Sequence, residues 1–311
     1  NAEGDDEKAC LCGLRKQAGC RFHLSRKGLL VLALVLNLLP LLWFKYSAFL
    51  AQNLGALLHA QWHFTPPGLP LGISFYTFQA LGYTIDVYRG DIKAEKSFHI
   101  YALFVSFFPQ LVAGPIERSR NLLPQFRETH RFSFDNIRAG MLPFLWGLFK
   151  KIVIADQLAV IVNTVYAAPE NFLPYQLVAA TIAFAFQIYC DFSAYSDIAR
   201  GSAIMLGFRL MRNFNSPYFA TSVKDFWRRW HISLSTWFRD YRCSKARHCF
   251  NLLVVFAVSG LWHGAALTFV IWGLLNGIYQ VISLLTAPIR KKIQTACHLR
   301  DNNPLLTIFR Y

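Results

Sequence analysis

The chain has 311 residues, of which 54% are hydrophobic and only 16% are charged. Soluble domains carry roughly 25% charged residues, so this composition argues against a soluble fold and predicts an all-α bundle of membrane helices. The formal charge is +15, from 32 Lys and Arg against 17 Asp and Glu, but the basic residues flank apolar runs, which indicates contact with lipid rather than with nucleic acid.

The first 27 residues are polar and mixed in charge, and we expect them to be disordered. Cys10, Cys12 and Cys20 cluster there, close to His23. Their spacing matches no common zinc pattern, and we expect no metal site. Because the first residue is Asn1 and not Met, we expect the chain to be a fragment or a processed form.

A membrane domain is predicted over 28–289, followed by a short polar tail at 290–311. A helix needs about 20 apolar residues to cross the bilayer core. The first candidate is 29–50, which is interrupted by Pro40 and by Lys45, a side chain that can snorkel near an end of the span.

Residues 71–88 follow a proline-rich break and are rich in aromatic, glycine and hydroxyl side chains. We expect them to form a helix buried among others. The remaining apolar runs are 97–116, 140–165, 173–190 and 248–289, the last long enough for two spans. By window length we predict about seven or eight membrane segments.

Residues 219–241 are amphipathic and dense in Trp and Arg. They are typical of a helix that lies at the membrane interface or re-enters from it. Interfacial anchoring explains most of this stretch, since Trp and Arg are expected there, but it does not explain His231.

A second unusual histidine, His263, lies in the sequence Gly-Leu-Trp-His-Gly, inside a run with no charged residue. A histidine in a membrane interior must be paired or line a wet cavity. Gly260 and Gly264 stand four apart, as do Gly273 and Gly277, a spacing that lets helix backbones approach closely. Flanking glycines also make room for a substrate beside the ring. The spacing alone does not decide between this role and a histidine that only cements the bundle.

Asp191 and Asp197 lie at the end of an apolar run, six residues apart. Intramembrane carboxylates usually find a cation, so we expect mainly a structural role, either an ion pair with arginine across the bundle or the cap of a broken helix.

The sequence holds no nucleotide-binding loop, nucleophile elbow or zinc-ligand spacing. Two histidines in a membrane bundle permit an enzyme with a histidine base, a transporter with a proton relay, or a channel.

Five motifs, in order along the chain, resemble those of the membrane-bound O-acyltransferases, in the branch of the alginate O-acetyltransferase membrane subunit. The motifs are Pro70-Leu-Gly-Ile-Ser-Phe-Tyr-Thr-Phe-Gln79, Phe107-Phe-Pro-Gln-Leu-Val-Ala-Gly-Pro-Ile116, Asp191-Phe-Ser-Ala-Tyr-Ser-Asp197, the stretch 226–241 and Ser259-Gly-Leu-Trp-His-Gly-Ala265. The resemblance implies a helix bundle around a tunnel and acyl transfer to a hydroxyl. It also implies that His263 is the family's invariant histidine and His231 its second one.

On the same basis, the donor is expected to be an acyl thioester, either acetyl-CoA or an acyl carrier protein, with no bound cofactor. The acceptor is a cell-surface polysaccharide such as alginate, or a periplasmic or extracytoplasmic acyltransferase partner that completes the transfer, and the location is the bacterial inner membrane. Trp262, Asp191 and Arg239 are candidates for substrate binding, and we expect His263 to act as the base while His231 orients or assists.

The chain departs from the family in three places. Family members usually carry further membrane helices before residue 29, and their loop after residue 241 is longer than the 242–248 stretch here. We also expect the family's last spans to be curtailed after Tyr311. A catalytically inactive or truncated scaffold and a transporter therefore stay open as alternatives.

Overall fold

The fold was described from a computed structural model, which defines residues 25–59, 68–241 and 248–296. Within these ranges the chain is helical, with no strand, so the predicted all-α class is confirmed. The expectations for residues 1–24, for most of the 242–248 loop and for 297–311 lie outside the described residues.

The helices follow one another along the chain as α1 (Arg26–Leu41), α2 (Ser47–Leu57), α3 (Ile73–Arg89), α4 (Phe98–Ser106), α5 (Phe108–Leu111), α6 (Ser119–Leu122), α7 (Phe134–Phe149), α8 (Asp156–Ala167), α9 (Pro174–Met205), α10 (Val223–Arg229), α11 (Ile232–Tyr241), α12 (His248–His263) and α13 (Leu267–Ala296). π-Helical turns at Leu42–Tyr46 and Lys150–Ala155 join α1 to α2 and α7 to α8.

Three helical segments among the described residues are long and apolar enough to cross a bilayer, namely Arg26–Leu57, Pro174–Met205 and Leu267–Arg290, and Cys249–His263 is a shorter apolar helix. These apolar segments indicate a membrane protein. The three spanning segments of the described residues are fewer than the seven or eight segments predicted by window length. Windows of hydropathy do not register helix breaks. The run 97–116, for example, is divided into α4 and α5 at Phe107, two residues before Pro109.

The middle of α3 is buried, as its aromatic and hydroxyl-rich sequence predicted. Thr77, Phe78, Gln79 and Ala80 are each at most 4% exposed. Gln79 donates to the carbonyl oxygen of Phe104 and accepts from the Gln110 amide at 2.8 Å, so both ends of this buried amide are hydrogen-bonded.

Glycines set the distance between α7 and α9. A Cβ at Gly140 would lie 2.5 Å from the Gly201 carbonyl oxygen, and one at Gly147 would lie 2.8 Å from that of Ala194. Only glycine permits so close an approach, which is how small residues pack helices in membranes.

Asp191 and Asp197 lie within α9 and do not end it. The Lys151 ammonium contacts Asp191 at 2.6 Å, and Lys150 contacts Asp197 at 2.6 Å. Each carboxylate is thereby compensated from the π-helical turn that faces α9. The predicted structural ion pairs are present, but their main partners are lysines; the arginine partner, Arg200, lies 3.7 Å from Asp197.

The hairpin of α12 and α13 is closed by the predicted glycines. A Cβ at Gly260 would lie 2.2 Å from the Phe269 carbonyl oxygen, and one at Gly273 would lie 2.3 Å from that of Phe256. Gly260 and Gly273 face each other across this interface, so the two backbones touch where the hairpin carries His263.

We expect Gly273→Ala to destabilise the protein by about 1–3 kcal/mol, because the new methyl group forces α12 and α13 apart. The thermal midpoint in detergent measures the effect. Gly68→Ala is the matched control, since nothing lies within 4 Å of a Cβ at Gly68. Equal stability of the two variants would contradict the close contact.

Candidate active site

A cavity of about 340 Å³ lies between α10, α11, α12 and α13, and both predicted histidines line it. His231 comes from the junction of α10 and α11, and His263 from the last residue of α12. The structure thus brings together two side chains that are 32 positions apart in the sequence.

His231 occupies a helix break that the loop before α10 fixes in place. Its φ of +43° lies in the left-handed region, which non-glycine residues adopt rarely and at a cost. Two backbone hydrogen bonds hold this turn, from Ile232 N–H to the Asn213 carbonyl oxygen at 2.8 Å and from Asn215 N–H to that of Arg229 at 2.9 Å.

The His231 ring is 6% exposed. It meets the Phe192 ring edge-on, with centroids 4.7 Å apart, and its Nδ1 lies 3.1 Å from Asn213 Oδ1. The residue lies outside the three segments long enough to span a membrane. Burial, together with the charge of a protonated His263 nearby, lowers the pKa of His231 to about 3, so its imidazole is neutral near pH 7.

His263 is more exposed than His231. Its ring is exposed at the edge of the cavity and stands edge-on to Trp272, with centroids 5.4 Å apart. The expected room beside it is absent on the side of Gly264, because a Cβ there would lie 2.2 Å from the Phe269 ring. Gly264 accommodates an aromatic side chain, and the room for a substrate beside His263 lies on the side of the cavity that it lines.

The end of α12 is fixed by two side chains from the π-helical turn at Leu42–Tyr46. The Tyr46 hydroxyl donates to the Leu261 carbonyl oxygen at 2.8 Å, and the Lys45 ammonium donates to that of Trp262. The last carbonyls of a helix lack partners within the helix, and a cation near them is favourable. Lys45 therefore does not snorkel, as its position in the span suggested, but turns inward and holds the residue next to His263.

We expect Lys45→Met to lower the turnover number about tenfold while the Michaelis constants change little, because one hydrogen bond that orients His263 is lost. Lys45→Arg, which keeps the charge and the donor, should recover most of the rate. The two variants and Tyr46→Phe are compared, at equal thermal stability, by the steady-state rate of the acyl transfer that the sequence motifs imply. A wild-type turnover number for Lys45→Met would show that this contact does not orient the site.

The three predicted substrate contacts separate in the structure. Arg239 lines the cavity, whereas Trp262 and Asp191 are not among its lining residues. The Trp262 ring packs on Phe78, with centroids 3.9 Å apart, and Asp191 pairs with Lys151.

The cavity is basic. Lys224, Arg228 and Arg239 line it and are exposed, and no Asp or Glu is among its lining residues. Such a cleft concentrates anions.

Ser259 precedes His263 by one helical turn and lines the same cavity, so a hydroxyl and an imidazole are available on one helix face. Among the described residues, no group of three or more His, Cys, Asp or Glu side chains is arranged to hold a metal ion.

Sequence patterns did not indicate Asn213, Lys45 or Tyr46 as parts of the site. Asn213 lies in the loop sequence Asn-Phe-Asn-Ser, where an asparagine is expected simply as a turn residue. Lys45 and Tyr46 end the first apolar run, where a basic and an aromatic residue are typical interfacial anchors. Their contacts are tertiary and leave no periodic signal.

Comparison with known proteins agrees with the resemblance seen in the motifs. The model of the membrane-bound O-acyltransferase family (MBOAT) matches residues 94–311. The chain is 41% identical to "Probable alginate O-acetylase AlgI" of Azotobacter vinelandii over 278 residues, which are 85% of this chain and 55% of the relative. It is 41% identical to the protein of the same name from Pseudomonas aeruginosa, over 85% of this chain and 53% of the relative.

A third relative, "Peptidoglycan O-acetyltransferase" of Helicobacter pylori, is 37% identical over 80% of this chain and 54% of its own length. The chain thus spans about half the length of the relatives it matches.

Proposed function

The chain belongs to the membrane-bound O-acyltransferase family, and on that premise we propose that it transfers an acyl group from a thioester to a hydroxyl. The cavity lined by both His231 and His263 carries this proposal. Acyl transfer needs a base beside a space that holds both reactants, and a cavity of about 340 Å³ is within the size range of small-molecule sites.

In the proposed reaction His263 is the base. Its neutral imidazole takes the proton of the acceptor hydroxyl as that oxygen bonds to the carbonyl carbon of the thioester. The carbon–sulfur bond then breaks, and the imidazolium returns the proton to the departing thiolate. Such proton transfer typically accelerates a reaction about 10² to 10⁴-fold. Because a thioester is already activated, no covalent enzyme intermediate is required.

His231 assists as a neutral group that orients the acceptor. A sugar offers several neighbouring hydroxyls, and a hydrogen bond from one of them to His231 would hold the attacking hydroxyl toward His263. Correct placement is worth much in rate, since a misplacement of about 1 Å can cost about 10²-fold.

The proposed donor is acetyl-CoA or an acyl carrier protein, both of which present a thioester on a phosphate-bearing arm. Lys224, Arg228 and Arg239 line the cavity and are exposed, which supports an anionic donor. Cations attract phosphates over a distance that is set by salt, so donor binding should weaken as ionic strength rises.

The proposed acceptor is a cell-surface polysaccharide such as alginate, or an extracytoplasmic partner protein that completes the transfer, at the bacterial inner membrane. The names of the relatives refer to alginate and peptidoglycan, which supports a polysaccharide. An acetyl group is the proposed acyl group on the same grounds.

One observation favours a second candidate, a membrane scaffold without catalysis. The His263 ring is exposed in the described structure, whereas a base that works on a thioester is expected where water is excluded. Such a scaffold would bind the same partners and leave the thioester intact.

The test uses the full chain in lipid nanodiscs with acetyl-CoA or acetylated acyl carrier protein, each labelled in the acetyl group, and with mannuronate oligosaccharides as acceptor. The proposal expects ester-linked label on the oligosaccharide. A folded protein that transfers no label from either donor would contradict it and favour the scaffold. Substrate flux in liposomes without transfer would favour a transporter.

A further inference from the structure

We propose that Asn213 is a positioning residue that fixes His231 as a hydrogen-bond acceptor toward the cavity, with the ring proton on Nδ1 and a bare Nε2. The role for His231 in catalysis rests on the proposed function, but the assignment of the ring proton rests on the contacts alone.

The orientation of the Asn213 amide follows from its neighbours. The Ser233 backbone N–H lies 3.2 Å from one end of this amide, and a backbone N–H can only donate. That end is therefore the carbonyl oxygen. The other end then carries the NH₂ group, which donates to Ser196 Oγ at 3.2 Å. The reversed amide would set two donors against each other inside the protein, since Asn213 is 1% exposed.

The position of the His231 proton follows from that amide. Nδ1 lies 3.1 Å from Asn213 Oδ1, and a carbonyl oxygen can only accept. Nδ1 must therefore donate and carry the hydrogen. Ser233 Oγ, which donates to the same oxygen at 2.9 Å, lies 3.4 Å from Nδ1 and completes the cluster.

A neutral imidazole has one N–H, so a proton on Nδ1 leaves a lone pair on Nε2. Within the described part of the chain, the hydrogen bonds of the His231 ring all go to Nδ1, while the residue lines the cavity. Nε2 is thus a fixed acceptor for a hydroxyl in the cavity. The bond from the other ring nitrogen decides which nitrogen is available for chemistry.

The charged groups that share the cavity with His231 are cations. They are Lys224 and Arg228 on α10, Arg239 on α11 and, when protonated, His263 on α12. From α9 the ring meets Phe192, which carries no charge. These cations and the uncharged Phe192 ring all favour the neutral form of the His231 ring, so its Nε2 stays a hydrogen-bond acceptor.

The first test is nitrogen NMR of ¹⁵N-histidine-labelled protein in detergent micelles, with the His231 signals assigned by their loss in His231→Gln. We expect a protonated Nδ1 and an unprotonated Nε2 in the wild type at pH 7. Because the spectra need no activity, they remain informative if the protein transfers no acyl group. A wild-type spectrum with the proton on Nε2 would overturn the assignment.

The second test compares Asn213→Asp with Asn215→Asp, the same substitution two residues away at an exposed position. A carboxylate at 213 raises the pKa of His231 from about 3 by about 1 to 3 pH units, so the ring becomes an imidazolium, which cannot accept, at a higher pH than in the wild type. Relative to the wild type, we expect Asn213→Asp to lose about tenfold in turnover number at about pH 5 and to recover toward pH 7, while Asn215→Asp follows the wild type. The spectra of Asn213→Asp should show both ring nitrogens protonated at about pH 5, where the wild-type ring is still neutral.

If Asn213 had only a structural role, we would expect a different result. In that case Asn213→Asp would lose thermal stability and activity together at every pH, with no recovery on the basic side. A pH profile of Asn213→Asp that parallels that of Asn215→Asp, with an unchanged His231 spectrum, would overturn the positioning role. The Michaelis constant for the donor should stay near the wild-type value, since Asn213 does not line the cavity.

Discussion

Replacement of His263 by alanine is expected to lower the rate of acyl transfer by about 10² to 10⁴-fold, which is the range that general base catalysis supplies. His263 is exposed at the edge of the cavity and does not fill a packed core. The substitution should therefore leave folding intact. The loss should fall on the turnover number while the Michaelis constant of the donor changes little, because the proposed role of His263 begins at proton transfer.

The measurement is the initial rate of label transfer from the thioester to the oligosaccharide in nanodiscs, at saturating donor. His99→Ala is the matched control, since His99 is exposed and is not among the residues that line the cavity. His263→Gln keeps a polar group of similar length and should be as inactive as the alanine variant. A rate within a few-fold of wild type in either His263 variant would end the role of this residue as the base.

Replacement of His231 by glutamine is expected to lower the turnover number by about 10- to 100-fold, because the acceptor hydroxyl loses its fixed partner. The effect should be smaller than that at His263, since glutamine keeps an acceptor oxygen and the base is untouched. An equal loss in both variants, with no further loss in the double variant, would indicate that the two histidines act as one unit.

The same substitution should change the dependence of stability on pH. The His231 pKa is about 3 in the folded protein, against 6.5 for an ordinary histidine. The unfolded chain therefore binds more protons in this window, and stability falls as the pH falls. We expect the contribution of His231 to the free energy of unfolding to drop by about 1 kcal/mol for each pH unit below about 6.5.

His231→Gln removes that titration, so the thermal midpoint of the variant should depend less on pH between about 6.5 and 3. The wild type and the variant are compared by thermal melts across this window, in one detergent. Parallel pH profiles for the two proteins would show that His231 is not held neutral by its surroundings.

Several parts of the fold followed from composition and spacing. The burial of α3 followed from its aromatic and hydroxyl-rich sequence, and the contact of α12 with α13 followed from the glycines at 260 and 273. Both patterns reflect local chemistry that a helix displays along its length. The meeting of His231 and His263 in one cavity was implied by family motifs and not by spacing.

Other features depend on tertiary contacts that the sequence does not display. The helix α9 continues past Asp191 because Lys151 compensates that carboxylate from another helix. Lys45 turns inward because the end of α12 offers an acceptor. The π-helical turns also escape prediction, since one extra residue in a turn leaves the mean hydropathy of a sequence window almost unchanged.

The candidate site also has some parts that the sequence indicated and others that depend on tertiary contacts. Sequence motifs indicated the two histidines and the Trp- and Arg-rich segment that carries one of them. They did not indicate Asn213, which lies 18 positions before His231 and meets it through a single amide oxygen. Nor did they indicate that Phe269 fills the space beside Gly264. Such contacts are set by the path of a loop and by one side-chain rotamer.

The central claim is that a thioester and a hydroxyl meet between His231 and His263. It is tested most directly by a structure of the full chain in a lipid nanodisc with a non-reactive thioether analogue of the donor and an oligosaccharide. We predict the carbonyl carbon of the analogue and an acceptor hydroxyl in the cavity, with that hydroxyl within about 3 to 3.5 Å of a His263 ring nitrogen. An analogue bound elsewhere, with His263 closed off from it, would contradict the claim.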